Sequence, residues 1–421
     1  MLERVKIRFM KVLFVNNFFT SYGGAEIIMS KEAEMLKRNG HEVFFFATDK
    51  KPYLVEAYEY AKYFPKNIDY RAASRFEQLV NIFKIFTNSE AANNLDKMLS
   101  DVNPDLIHIH NVYYHLTASV LKAIYNRKIP VVMTLHDTRI FCPSGTISRR
   151  SESYCKDGLC LDENLLHYLI NKCKSGNLSE SVVRTAESLF NKAMGFYNNI
   201  NAFITPSKAL YDLAVESGIK KNKINHINNF LSDSFFANEA VYDDKGYFLY
   251  VGRLAKEKGV DHLLEAMAKL PDVKLKIAGT GSYEEELKNR AKNLRLTNVE
   301  FLGHKEENEL VELYKGCIAT ILPSNCFEVF GLTLLESFTF GKPVIASRIG
   351  GIPEIVEDGI CGITINPGDV SHLASSIRKL NDDKQLVYKL GFNGKQKAEK
   401  LYSEEHHYIK LIELYKSLII T

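Results

Sequence analysis

Short apolar runs rich in β-branched and aromatic residues alternate with longer helical patterns, and this alternation restricts the fold more than any other feature. "KVLFVNN", "HEVFFFAT", "PDLIHIHN", "PVVMTLHD" and "NAFITPS" are the strand candidates of the first half. "YFLYVGRL", "VKLKIAGT", "VEFLGH", "ATILPS", "PVIAS" and "CGITINP" follow in the second. A run that is apolar throughout, rather than at every second residue, belongs to a strand covered on both faces. Strands separated by helical segments pair in parallel, so the pattern predicts α/β, doubly wound sheets. The polar stretch "SDSFFANEAVYDDKG" (232–246) splits the series into two similar units, 1–235 and 236–400.

The 421 residues, 46% apolar and 25% charged, suffice for a core in each unit. A net charge of +3 is too small for a nucleic-acid binder. No apolar run approaches the about eighteen residues of a membrane span. At the N-terminus, Val12–Val15 is too short for a signal sequence and is ended by Asn16-Asn17, so it reads as a first buried strand. Seven cysteines, an odd number with no secretion signal, point to a reducing cytoplasmic setting.

In sheets of this type ligands bind beyond the carboxyl ends of the strands, which directs attention to the residues just after each run. Gly23-Gly24 opens a helix after the first strand, where glycines let backbone N–H groups approach an anion; a plain strand-to-helix turn is the alternative. His136-Asp137 ends a strand, His136 as a proton handler or dipole at a reacting centre, or else packed beside a helix cap. His110-Asn111 occupies the equivalent place after "PDLIHI". Arg253 and Lys258 lie on the loop leaving the first strand of the second half, suited to a diphosphate, although a solvated basic loop carries the same residues. Gly279-Thr280-Gly281 resembles the start of a dinucleotide fingerprint but has Glu284 where a third glycine belongs, so it reads as a turn that lets a nucleotide lie close.

"CFEVFGLTLLESFTFGKPVIAS" (326–347) sets Glu328 and Glu336 eight positions apart in an otherwise apolar stretch. A buried carboxylate is costly without partners. The pattern predicts a loop carrying Glu328, then a helix from Phe330 to Gly341. The first amides of that helix, on Phe330, Gly331 and Leu332, would lack intrahelical partners and could meet an anion or a sugar hydroxyl.

Taken together, "GGAE", "PDLIHIHN", "LHD", "ITPS", "VGRLAKEKGV", "IAGTGSYEEEL", "LPSNCFEVFGLTLLESFTFGKPVIASRIGGIPEIV" and "GDVSHLASSI" resemble the family 4 retaining glycosyltransferases of the GT-B fold, from residue 11 to about 400. The resemblance implies two Rossmann-like domains facing each other across a cleft. It implies a UDP- or GDP-type nucleotide-sugar donor gripped by the second domain and a saccharide or lipid-linked acceptor on the first. Arg253 and Lys258 would hold the diphosphate, Glu336 the ribose hydroxyls, and Glu328 the donor sugar. The amides of Phe330, Gly331 and Leu332 would line the sugar and diphosphate. Gly23 and Gly24 would close over the phosphates, and His136 would lie against the sugar. Transfer would retain the anomeric configuration by front-face attack, with the departing phosphate taking the acceptor's proton and the domains closing over the donor. No D-x-D triplet is present, so a catalytic metal is not expected. In this fold the last helices cross back, which fits "SEEHHYIKLIELYKSLII" within 401–421.

Cys142, Cys155, Cys160 and Cys173 lie in an insertion, about 141–175, after the His136 strand. Some family members, often transferases for bacterial surface polysaccharides (O-antigen, capsule or exopolysaccharide), carry a similar insertion with a closer middle pair. A four-thiolate structural zinc is one reading, and buried or reactive thiols are the other. Arg139, Arg149 and Arg150 could meet a phosphate of the acceptor or be solvated. "RAASRFEQLVNIFKIF" (71–86) could rest on the inner face of a membrane or face a core. Other functions open to such a chain are a catalytically silent nucleotide-sugar-binding subunit, a nucleotide-sugar epimerase, or a phosphorylase, though no cofactor lysine motif stands out for the last.

Overall fold

The computed structural model describes residues 9–20, 23–55, 57–69, 81, 83–125, 127–145, 147–149, 153–154, 178–237, 240–241 and 244–419. The first half contains β1 (Lys11–Asn16), β2 (Glu42–Phe46), β3 (Leu106–Asn111) and β4 (Val131–Thr134). A small antiparallel pair comes next, β5 (Ser148–Arg149) with β6 (Ser153–Tyr154), and then β7 (Ala202–Thr205) and β8 (Ile224–His226). The second half contains β9 (Tyr247–Val251), β10 (Lys274–Ala278), β11 (Val299–Gly303), β12 (Cys317–Leu322), β13 (Val344–Ser347) and β14 (Gly362–Ile365).

These strands form two six-stranded sheets, ordered β2-β1-β3-β4-β7-β8 and β11-β10-β9-β12-β13-β14. Every pair within them is parallel. Each apolar run named in the sequence contains a strand of these sheets. The three-residue β8 and the β5–β6 pair carry too few residues to show a pattern in the sequence. β4, β7, β9, β12 and β13 are buried at every position, as strands covered on both faces must be.

The strand order fixes where a ligand can lie. In the first sheet the chain leaves β1 toward β2 on one side, and β3 lies on the other. In the second, β10 and β11 lie to one side of β9 and β12 to the other. Helices following diverging strands leave a crevice beyond the strand ends at such a reversal. The loops after β1, β3, β9 and β12 therefore border the two crevices.

The halves are stitched together by polar contacts and a shared helix. Glu354 of the second half accepts the backbone N–H groups of Lys208 and Ala209, each at 2.7 Å, and so caps a helix of the first (Lys208–Glu216). The C-terminal helix, Glu404–Ile419, buries Leu411, Ile412 and Tyr415 in the core of the first half. Among the described residues, no helix is long and apolar enough to cross a membrane.

The helix Lys384–Leu401 meets the turn before β13 backbone to backbone. A Cβ at Gly391 would lie 1.9 Å from the Gly341 carbonyl oxygen. Overpacking of this kind costs about 1–3 kcal/mol. Gly391→Ala is expected to lower the calorimetric melting temperature of the second half, and an unchanged transition would refute the contact.

Candidate active site

The loop after β9 folds into a short 3-10 turn, Lys256–Lys258, that ends on Gly259 in the left-handed conformation (φ 70°). This turn aims Lys258 at the loop after β12, where its Nζ lies 2.7 Å from Glu328 Oε1. The Ser324 hydroxyl donates to the same oxygen. Burial alone would raise the Glu328 pKa, but the Lys258 ammonium and the Ser324 hydroxyl outweigh it and hold the carboxyl below its ordinary range. The Lys258 ammonium is correspondingly held above its own. Lys258 is therefore engaged with Glu328 rather than loose on a basic loop. Arg253 points to solvent, its side chain 65% exposed, and pairs with Glu257 at 3.0 Å.

The helix expected from Phe330 begins later, at Leu332, and runs to Thr339. Gly331 precedes it at φ 112°, a conformation that a side chain disfavours and that breaks the helix at this point. The Phe330 ring is buried against Tyr402. The N–H groups of Phe330, Gly331 and Leu332 have no hydrogen-bond partner among the described residues. Glu336, half-buried on the helix, accepts the Tyr314 hydroxyl at 2.6 Å, and burial raises its pKa. Among the charges acting on it is Lys31, from the helix Gly24–Arg38 of the first half.

Gly279 and Gly281 have a packing reason. A Cβ at Gly279 would lie 1.9 Å from the Gly252 carbonyl oxygen, and one at Gly281 would lie 2.1 Å from that of Leu254. The loops after β9 and β10 thus lie backbone on backbone, which brings Arg253 beside them.

On the opposite side, Gly23 (φ 102°) leads into the helix Gly24–Arg38, and a Cβ at Gly24 would meet only open space. Glu26, two residues on, is buried and accepts from Asn16 Nδ2 at 3.1 Å. His136 is half-buried, with its Nε2 2.8 Å from His110 Nδ1, and burial pushes its pKa down to about 4. Asp137 accepts the Arg139 N–H at 2.8 Å, a local turn. Arg139 stacks on the rings of Tyr113 and Tyr114.

Beneath His136 lies a buried group that the sequence reading missed: Glu32, His108, His110, His407 and Tyr415. His108 and His110 are two apart on one strand and so share a face, which was legible. Glu32 stands among Met29, Ala33 and Leu36 on the buried side of its helix, also a readable signal. His407 comes from 375 residues away and had none. Glu32, His108 and His110 could bring ligand atoms to one cation. However, His108 already meets Tyr415 through Nδ1 at 2.6 Å and Thr134 through Nε2 at 2.7 Å.

Cys142 is buried beside Ser144, at 3.1 Å. Cys155, Cys160, Cys173, Arg150 and residues 71–80 lie outside the described residues, and with them the zinc reading and most of the membrane-contact reading.

Residues 22–235 match Glycosyltransferase Family 4, and residues 232–397 match Glycosyl transferases group 1. The chain belongs to glycosyltransferase family 4. An uncharacterized glycosyltransferase of Methanocaldococcus jannaschii is 28% identical over 407 residues, 94% of each chain. Sucrose-phosphate synthase from Thermosynechococcus elongatus superimposes with a TM-score of 0.73 at 19% identity, covering 98% of this chain and 99% of that one. HepE from Anabaena in complex with UDP-glucose gives 0.67 at 20% identity, covering 97% and 100%. The architecture is GT-B, and this family 4 member is a glycosyltransferase.

The Glu328 ion pair carries a pH signature. Its folded pKa is depressed, so its contribution is full above the unfolded value, about 4.3, and is lost as pH falls through the lower folded value. Glu328→Gln should lower the unfolding free energy at pH 7 by about 1–3 kcal/mol. In urea titrations this deficit should vanish well below pH 4; a deficit independent of pH would contradict the charge pairing.

Proposed function

We propose that this glycosyltransferase moves a sugar, with retention, from a nucleotide-diphosphate sugar to a saccharide or lipid-linked saccharide acceptor. The observation that carries this reading is the part-buried Lys258–Glu328 pair at the β9/β12 reversal, beside the unpartnered amides of Phe330, Gly331 and Leu332. A leaving diphosphate needs fixed positive charge and N–H donors in a site that excludes water. Lys258 supplies the first with its geometry set in advance by Glu328. Arg253, held only by an exposed pair with Glu257, is free to swing onto the phosphates.

Glu336, fixed by Tyr314, suits the ribose diol, and Glu328 orients the sugar. Gly23 and Gly24 open a helix start toward the same cleft, where the dipole favours the phosphates. His136 contacts the sugar. In the reaction the bond from the anomeric carbon to the phosphate oxygen breaks, and a bond to the acceptor oxygen forms on the same face. The acceptor's proton passes to the departing phosphate. This route suits a site whose Glu328 is tied up as an anion and whose His136 is neutral at pH 7. The UDP-glucose complex of HepE supports a UDP-type donor, with GDP-type donors the alternative to test. The cysteine-bearing insertion after β4 supports a role in surface-polysaccharide assembly.

Thermal-shift screening against UDP, GDP, ADP and TDP sugars should give a rise in melting temperature with one base class, since a ligand at 100 times its Kd stabilises by about 2.7 kcal/mol. Glu336→Ala should weaken that shift, and Arg253→Ala should abolish transfer. Full activity in the Arg253 variant would reject the diphosphate assignment.

A further inference from the structure

Buried polar atoms in folded proteins almost always have partners, so orphans are informative. Glu32 Oε2 and His110 Nε2 are both buried, neither forms a hydrogen bond, and they face each other 3.4 Å apart. The protons of the surrounding contacts decide what lies between them.

The Asn228 carbonyl oxygen can only accept, so His407 Nδ1, 2.7 Å away, carries a hydrogen. The other nitrogen of that ring, Nε2, lies 3.0 Å from Glu32 Oε1, and this contact also needs a proton. Burial would raise the Glu32 pKa, but the His407 hydrogen bond and the neighbouring imidazoles outweigh it and hold the carboxyl below its ordinary range. Glu32 is therefore an anion with two accepting oxygens, one turned to His407 and the other toward His110.

His110 Nδ1 and His136 Nε2 are 2.8 Å apart, and one of them must donate. If His110 donated, its Nε2 would turn a lone pair toward the carboxylate, setting two buried acceptors against each other. If His136 donates, His110 Nε2 carries a hydrogen, and a donor rather than a second lone pair faces Glu32 Oε2 at 3.4 Å. The remaining nitrogen of His136, Nδ1, is then a bare lone pair. It has no hydrogen-bond partner among the described residues, on a ring that is half-buried.

We propose that Glu32 and His110 are positioning residues that lock His136 in its Nε2–H tautomer, so that His136 Nδ1 offers the cleft a hydrogen-bond acceptor. A neutral ring presenting a lone pair selects a hydroxyl donor and repels a phosphate oxygen. His136 therefore reads a sugar hydroxyl rather than the diphosphate. Because Glu32 also meets His407, docking of the C-terminal helix fixes the orientation of the accepting oxygen on which the tautomer depends. This inference rests on the transferase reading for the identity of the hydroxyl but not for the tautomer.

The test is long-range proton–nitrogen NMR of the full chain labelled with nitrogen-15 in its histidine rings, at pH 7.5. His136 is assigned from the signals lost in His136→Asn. The native protein should show Nε2 protonated and Nδ1 bare; protonated Nδ1 would overturn the proposal, and this arm needs no variant that might misfold. In Glu32→Leu the His136 signals should move toward the other tautomer or an average, and unchanged signals would overturn it as well. Glu32→Gln should keep the native pattern, because its amide can donate to His407 while its carbonyl oxygen still faces His110 Nε2. UDP and GDP, used alone as probes, should shift the melting temperature of Glu32→Leu as much as that of the native protein. Loss of that shift in the variant would overturn the hydroxyl assignment. A native protein that binds neither nucleotide would count against the transferase reading and leave the tautomer to the NMR result.

Discussion

A strand buried on both faces has nowhere to put a polar side chain, and the rest of this molecule depends on that constraint. The central strands β4, β7, β9, β12 and β13 are buried along their whole length. Their polar work is therefore displaced to the loops at their carboxyl ends. The order of strands then selects among those loops. Only where the chain reverses direction across the sheet do neighbouring connections diverge, and Lys258, Glu328, His110 and the Gly23 turn all stand at such places. Two similar sheets supply two reversals, and the candidate site residues divide between them.

The charges at these strand ends are balanced before any ligand arrives. Taking Glu328 out of water alone would be unfavourable, and so would taking Lys258; together, with Ser324, each stabilises the charged form of the other. The pair is thus a rigid element rather than a mobile one, which suits a site that must hold a lysine in a fixed position. Glu336 is treated differently. It has a neutral tyrosine donor in place of a cation, so its carboxylate keeps accepting capacity for a partner that brings hydroxyls. Two carboxylates eight residues apart have different chemistry because different elements reach them.

Glu32 is the corresponding device in the first half, and it joins parts of the chain that composition and periodicity leave unrelated. One of its oxygens meets a helix from the far C-terminus and the other faces the strand that carries His110. The C-terminal helix is consequently held by more than apolar contacts, since losing His407 would leave a buried carboxylate oxygen without its partner. The same carboxylate determines how the ring nearest the cleft presents itself.

Much of this was legible in the linear sequence, because it depends on periodicity and on chemistry local to a strand end. The continuous apolar runs specified buried parallel strands, and the polar residues after them specified where to look. What sequence order could not supply was distance. It placed the start of the 332–339 helix two residues early, because the left-handed break at Gly331 is a backbone property that an apolar pattern does not show. It read Gly279 and Gly281 as a turn that lets a nucleotide lie close, and could not show that a Cβ at either would strike the carbonyl oxygens of Gly252 and Leu254. It passed over Glu32 because its partner His407 lies 375 residues away. The sequence by itself determined the sheets, their burial and the ends at which chemistry collects, since these depend on side-chain character repeated over a few residues. Only the tertiary structure decided which charges are paired, which are exposed and which way a histidine carries its proton, since those depend on groups brought together in space from remote parts of the chain.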